Sequence, residues 1–248
     1  MTRLVGAEVF KLRTTRTFYG LIGGALGLVL LIVILASSTA AKDDITLRDV
    51  IGISGFAQVF ALLLGIICVT SEFRHGTVTP SLLIVPDRAR LTLAKLGASL
   101  IVGLVLGIVA TGGSALIGSL ILSARDIANP LSGSDVTEMV IGGTVATALY
   151  AALGVGVGAI VRNQVGAVVG SLVYLFVLEN LLTIAKPLRD PVAKYGFAGV
   201  GNGLTGAADP TADHPPLDQV PAGLLLAAYC AILIVIGIAL MKKRDITA

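Results

Sequence analysis

Residues 70–95, TSEFRHGTVTPSLLIVPDRARLTLAK, place three arginines, a lysine, a histidine and two acids between two long apolar runs. The surrounding chain is 55% hydrophobic and 13% charged, contains no Trp, and has a mean hydropathy of +0.94. A soluble domain of this length does not carry so many uninterrupted apolar runs. The hydrocarbon core of a bilayer takes roughly 20 apolar residues in helical form. Six stretches meet that length, at 18–37, 50–70, 96–122, 139–161, 164–184 and 222–241. All six are predicted to be helices, because an isolated strand leaves its backbone polar groups unsatisfied in lipid. The third run is longer than a span needs and is expected to tilt or protrude. The fifth holds Glu179 and Asn180 inside it.

The position of charge between these runs gives an orientation. An even number of spans puts both termini on one side, with segments 1–17, 71–95, 162–163 and 242–248. These hold Arg3, Lys11, Arg13, Arg16, Arg74, Arg88, Arg90, Lys95, Arg162, Lys242, Lys243 and Arg244, which is twelve of the 18 basic residues, against Glu8, Glu72, Asp87 and Asp245. The other side holds Lys42, Arg48, Arg125, Lys186, Arg189 and Lys194 and a clear excess of acids. Cytoplasmic loops carry the Lys/Arg excess, so both termini and segment 71–95 of this inner-membrane protein are expected in the cytoplasm. The basic residues read as topology determinants, which makes nucleic acid an unsuitable partner. Arg88, Arg90 and Lys95 are expected to return the chain to the lipid headgroups.

Residues 1–17 are expected to form a cytoplasmic helix on the membrane surface. On a helical wheel Met1, Val5, Val9 and Leu12 share one face, while Arg3, Glu8, Lys11 and Arg13 point elsewhere. The first apolar run is too long for a signal-peptide core and reads as an uncleaved span. Residues 18–248 then form a single transmembrane domain. Cys68 and Cys230 both fall within spans and read as small packing residues. Asp43 and Asp44 read as a solvated turn. The external segment 185–221 has six prolines and many glycines. Within it VAKYGFAGVGNGL is expected to form a short helix at the outer leaflet, followed by an extended loop with His214 as a surface residue. Gly-x-x-x-Gly pairs at Gly20/Gly24, Gly23/Gly27, Gly103/Gly107, Gly154/Gly158 and Gly166/Gly170 allow close helix contact in lipid, within or between chains.

Several chemistries lack their residues. The chain has no phosphate-cradling Gly-x-x-x-x-Gly-Lys-Ser/Thr stretch, no zinc spacing of His and Glu, and no Gly-x-Ser-x-Gly elbow. Glu179 is the one carboxylate clearly inside a span, whereas proton-coupled carriers use more buried ionisable groups. These residues describe a membrane path without its own energy source, and no enzyme active site.

In segment 70–95 itself, Ser71, Glu72, Phe73, Arg74 and His75 continue a helix out of the bilayer, and Gly76 supplies the positive φ that ends it. Thr77, Thr79 and Pro80 suit the start of a new helix, SLLIVP, which Pro86 stops. On the residues alone this is either a basic topology anchor or a helix–turn–helix that docks a soluble partner. The order E-F-R-H-G-T followed by P-D-R-A-R and A-K resembles the permeases of ABC-2-type exporters. AEVFKLRTTR, with Glu8, Lys11, Leu12, Arg13, Thr14, Thr15 and Arg16, is similar to that family's N-terminal interfacial helix. The closing KKRDI, Lys242 to Ile246, is similar to the ending after its sixth span. The lack of a large external domain departs from the macrolide-exporter type.

The resemblance implies an all-α permease fold in which two such chains pair, as a homodimer. Each would dock one copy of a separate ATPase subunit, which binds ATP and magnesium; no cofactor is implied on this chain. By the same resemblance Glu72, Phe73, Arg74, His75, Gly76, Thr77, Arg88 and Arg90 belong to the ATPase-coupling region, and the helix with Glu8, Lys11, Arg13 and Arg16 braces it. Spans 1, 2 and 5 would line the path, with Gln58, Glu179 and Asn180 as polar exceptions. That lining favours a hydrophobic or amphipathic cargo such as a drug, lipid or peptide antibiotic. Glu179 would select a cation, or would be capped by Asn180 or Lys186 near the outer interface; the second reading fits an interfacial carboxylate better. An energy-independent channel or carrier, and a non-transporting scaffold, remain as competing classes.

Overall fold

The computed structural model describes residues 1–77, 83, 85–207 and 215–243, and among these every regular element is a helix. Helix α1 spans Thr2–Arg13 and α2 Arg16–Thr39. The second span is α3, Leu47–Gly52, followed by α4, Gly55–Arg74. Then come α5, Arg88–Ala124, and α6, Gly133–Val161. The fifth span, α7, runs Gln164–Ile184 and contains a π turn at Tyr174–Leu178. Two short helices follow, α8 at Lys186–Tyr195 and α9 at Phe197–Thr205, before α10, Gln219–Lys243. Among the described residues six helices are long and apolar enough to cross a membrane, at the places where the apolar runs predict them. We call the end holding α1 and the close of α10 basal, and the other end distal.

Short polar caps set the boundaries. Thr46 with Asp49, and Ser132 with Asp135, form reciprocal capping boxes that start α3 and α6. Asn163 caps α7, and Asp87 caps α5 by accepting from the amides of Ala89 and Arg90. Asp87 therefore starts the third span at Arg88, eight residues before the onset at 96 read from hydropathy. Arg90 and Lys95 lie within that helix.

The core is organised by α6. Its most apolar stretch is 72% buried, against 17% for α7, so α6 is the central helix and α7 flanks the bundle. Two of the Gly-x-x-x-Gly pairs explain how the helices approach. A Cβ on Gly154 would sit 2.1 Å from the Leu62 carbonyl of α4, and one on Gly103 would sit 2.7 Å from the Ala148 Cα of α6. These glycines let α4 and α5 lie backbone-close against α6, which is how helices associate where lipid removes the hydrophobic drive. Gly20, Gly23, Gly27 and Gly170 face open space, so they do not pack the bundle.

Three sequence expectations are corrected. Helix α1 turns Glu8 inward: it is buried, while Met1 and Phe10 are exposed at 61% and 70%. The single short helix expected around 192–204 is two helices, and Val200 and Leu204 of α9 are buried in the bundle. Lys95 does not reach for headgroups but is buried. Ser81, Leu82 and Ile84 of the expected SLLIVP helix, together with His214, Arg244, Asp245, Ile246 and the Lys242 side chain, lie outside the described residues.

Candidate functional site

The basal end of α4 explains the spacing between Glu72, Gly76 and Thr77. Gly76 takes φ +66°, a conformation that costs a residue with a Cβ and suits glycine. The turn then closes with Thr77 N–H donating to the Glu72 carbonyl at 3.0 Å and Gly76 N–H to that of Phe73 at 3.5 Å. This is a Schellman closure, with Gly76 just past the helix end and Glu72 three residues inside it. The backbone of Glu72 thus ends the helix while its side chain points into the bundle.

That side chain enters a buried ionic network. Lys95 Nζ donates to Glu8 Oε2 at 2.7 Å, to Glu72 Oε1 at 2.8 Å and to the Cys68 carbonyl at 3.3 Å. An ammonium group has three hydrogens, and all three have acceptors here. Lys11 also donates to Glu72. Two lysines and two carboxylates balance, which is the condition for holding charge away from water at tolerable cost. Three helices are pinned at one point: α1 through Glu8 and Lys11, α4 through Glu72, and α5 through Lys95. Hydropathy did not reveal Lys95, but helical phase does, since Leu91, Lys95, Ala98 and Val102 recur on one buried face.

The other coupling candidates divide between inner and outer positions. Phe73 is half-buried beneath the Arg162 guanidinium, 5.5 Å above its ring. Arg88 donates to the Met241 carbonyl at the end of α10. Arg74, His75, Gly76 and Thr77 are exposed around the turn, with Arg74 reaching Gln164 at 3.4 Å. Arg90 is exposed and pairs with Asp87 at 3.2 Å, and Arg13 and Arg16 are exposed on or just after α1. The structure therefore gathers Glu8, Lys11 and Glu72 into one cluster, with Arg74 and His75 on the surface above it.

The three pathway candidates lie at the distal end, around α9. Gln58 is buried and donates to Thr205 Oγ1 at 3.1 Å. Glu179 accepts from the amides of Phe197 and Ala198 at 2.5 and 3.0 Å, so it caps the start of α9. A capped carboxylate was expected, but with Asn180 or Lys186 as partner; Asn180 instead donates to the Phe176 carbonyl at 3.0 Å on the exposed side of α7. Sequence reasoning missed Tyr150, which donates to the Phe197 carbonyl at 2.5 Å. A Cβ on Gly201 would fall 2.7 Å from Gln58 Oε1 and 2.8 Å from the Tyr150 hydroxyl, so α9 lies directly on these two side chains. Gln58, Phe56, Tyr150, Ala198 and Asn202 line a cavity of about 300 Å³ between α4, α6, α7 and α9.

Six helices long and apolar enough to span a bilayer, among the described residues, with a charge-pinned base, describe a multi-pass membrane protein. The model of the ABC-2 family transporter protein matches residues 4–178, from α1 to the end of the π turn, and the chain belongs to this family. Permeases of this family are transmembrane subunits, generally non-enzymatic, that generally pair with an ATPase subunit. The match covers Glu8, Lys11, Glu72 and Lys95, and stops one residue before Glu179. A search of curated proteins returns no match.

Proposed function

We propose that this chain forms the transport path of an ATP-driven exporter and receives its motion from a separate ATPase at the basal turn. In this reading the basal end is cytoplasmic, which the concentration of basic residues there supports. Two chains pair as a homodimer in a bacterial cytoplasmic membrane, each docking one ATPase subunit. The observation that carries the proposal is the division of labour within residues 72–77. Glu72 is locked inward to α1 and α5, while Arg74 and His75 stand outward on a closed, rigid turn. A contact made at Arg74 is transmitted through the Glu72 backbone to three helices at once. Such work needs contacts that differ between two states of the partner, as ATP binding and hydrolysis provide. The mostly aliphatic flanks of α2, α4 and α7 support a hydrophobic or amphipathic cargo.

The test is co-purification with the ATPase subunit, followed by nucleotide hydrolysis in the complex. Arg74→Ala with His75→Ala should leave the permease folded and weaken the complex or abolish stimulated hydrolysis. A native chain that binds no ATPase, or a double variant as well coupled as the native chain, would overturn the proposal.

A further inference from the structure

Helix α9 is held by three spans at once, and the most specific hold depends on an irregularity in α7. Gly196, at the N-cap of α9, has no side chain to satisfy the first amides, and a Cβ there would meet the Glu179 carboxylate at 3.1 Å. Glu179 takes over that role from 17 residues upstream, with 4% of its surface exposed.

Tyr174 and Glu179 are the first residue of the π turn and the residue immediately after it, and the Glu179 amide donates to the Tyr174 carbonyl. In an α-helix, residues five apart point about 140° away from each other. The i→i+5 closure of a π turn places them above one another instead. The extra residue in this turn is therefore what brings Tyr174 beneath Glu179 and aims the carboxylate at α9. The same turn supplies a wall. Leu175, Ala198 and Asn202 line the cavity that contains Gln58, and the same three residues line a second cavity that contains Glu179, Asn180 and Thr183. Leu175 belongs to the π turn and the other two to α9.

We propose that the π turn Tyr174–Leu178 is a register switch that latches α9. In the π form Glu179 caps Phe197 and Ala198, and Leu175 with α9 separates the two cavities. Relaxation to α-helix turns Glu179 by about 100° relative to the start of α7, which withdraws the cap. Helix α9 then has two unsatisfied amides and moves, and the cavities join. The two packings of α7 are discrete, as a two-state element requires. Use of this switch as the exit gate rests on the transport reading above; the latch itself needs neither ATPase nor cargo to be tested.

The experiment is hydrogen–deuterium exchange on the full chain in lipid nanodiscs. Glu179→Ala should speed exchange across residues 197–205 roughly three- to thirty-fold, the range set by loss of a helix cap, with basal helix α1 unchanged. Deletion of Val177, whose side chain is exposed, removes the extra residue while keeping Glu179 in its present direction. It should fix the latch and slow exchange across 197–205 below the native rate. In the native chain, residues 174–179 and 197–205 should open together, a measurement that stands even if the deletion variant does not fold. Unchanged exchange in Glu179→Ala overturns the latch. Opening of 197–205 while 174–179 stays protected, or a folded deletion variant that opens as readily as the native chain, overturns the switch.

Discussion

Lys95 and Glu72 meet at 2.8 Å with each side chain only 4% exposed, while Lys11, on the same carboxylate, is 45% exposed. The two lysines therefore contribute unequally. Lys95→Met removes the buried positive charge and leaves two carboxylates facing each other, at a cost of about 3–5 kcal/mol. Lys11→Met loses a lysine that is half open to solvent but leaves the buried carboxylates one positive charge short, so it should cost less than Lys95→Met without being neutral. Denaturant unfolding in detergent micelles measures both. The double variant Lys95→Met with Glu8→Gln should recover part of the single-variant loss, and a fully additive result would show that the network is not coupled.

Gly76 is the one position of the basal turn that needs positive φ. Gly76→Ala should cost about 1–2 kcal/mol and open the Thr77–Glu72 closure, while Gly76→Asn should cost less because Asn tolerates this conformation. Thermal unfolding orders the three proteins. Equal midpoints for the Ala and Asn variants would contradict the left-handed assignment.

Glycines at the same spacing should differ sharply in their tolerance. Gly154→Val drives its side chain into the Leu62 carbonyl and should prevent assembly of α4 against α6. Gly27→Val enters open space and should leave the monodisperse yield unchanged. Comparing the two by size-exclusion chromatography checks which glycines pack within the chain.

The distal end of α2 depends on a residue from another helix. Arg125 donates to the carbonyls of Ser37 and Ala40 at 2.6 and 2.8 Å. Arg125→Leu leaves these carbonyls without that cap and should cost about 1–3 kcal/mol. Faster amide exchange confined to residues 36–44 is the expected signature, and a uniform rise along α2 would argue against a local clamp.

The spans were legible because length and hydropathy decide them locally: each needs only its own residues to satisfy its backbone in lipid. The Gly76 turn was legible for the same reason, since Glu72, Gly76 and Thr77 are neighbours in sequence. Lys95 and Glu8 were misread because a charge beside an apolar run is normally placed in water, and only the partner helix shows that each neutralises the other. The capping of Glu179 by amides 18 and 19 residues away was not legible either, since it depends on a π turn that a period of 3.6 residues does not reveal. Spacing showed five possible Gly-x-x-x-Gly contacts, but the choice among them depends on which helices are neighbours.

The long third span has a mechanical consequence. At 37 residues α5 extends about 55 Å, nearly twice the hydrocarbon thickness, and it contains no proline. Its lower end is clasped by Glu8, Glu72 and the Met241 carbonyl, and its upper end closes on the collar of α2 through Arg125. It is a lever with a grip at each tip. A tilt of about 5° imposed at Arg88 carries Arg125 sideways by roughly 5 Å, the scale of one helical turn. Such a step at the far rim requires α6, backbone-close to α5 at Gly103 and Gly107, to tilt with it, so the two helices form one arm.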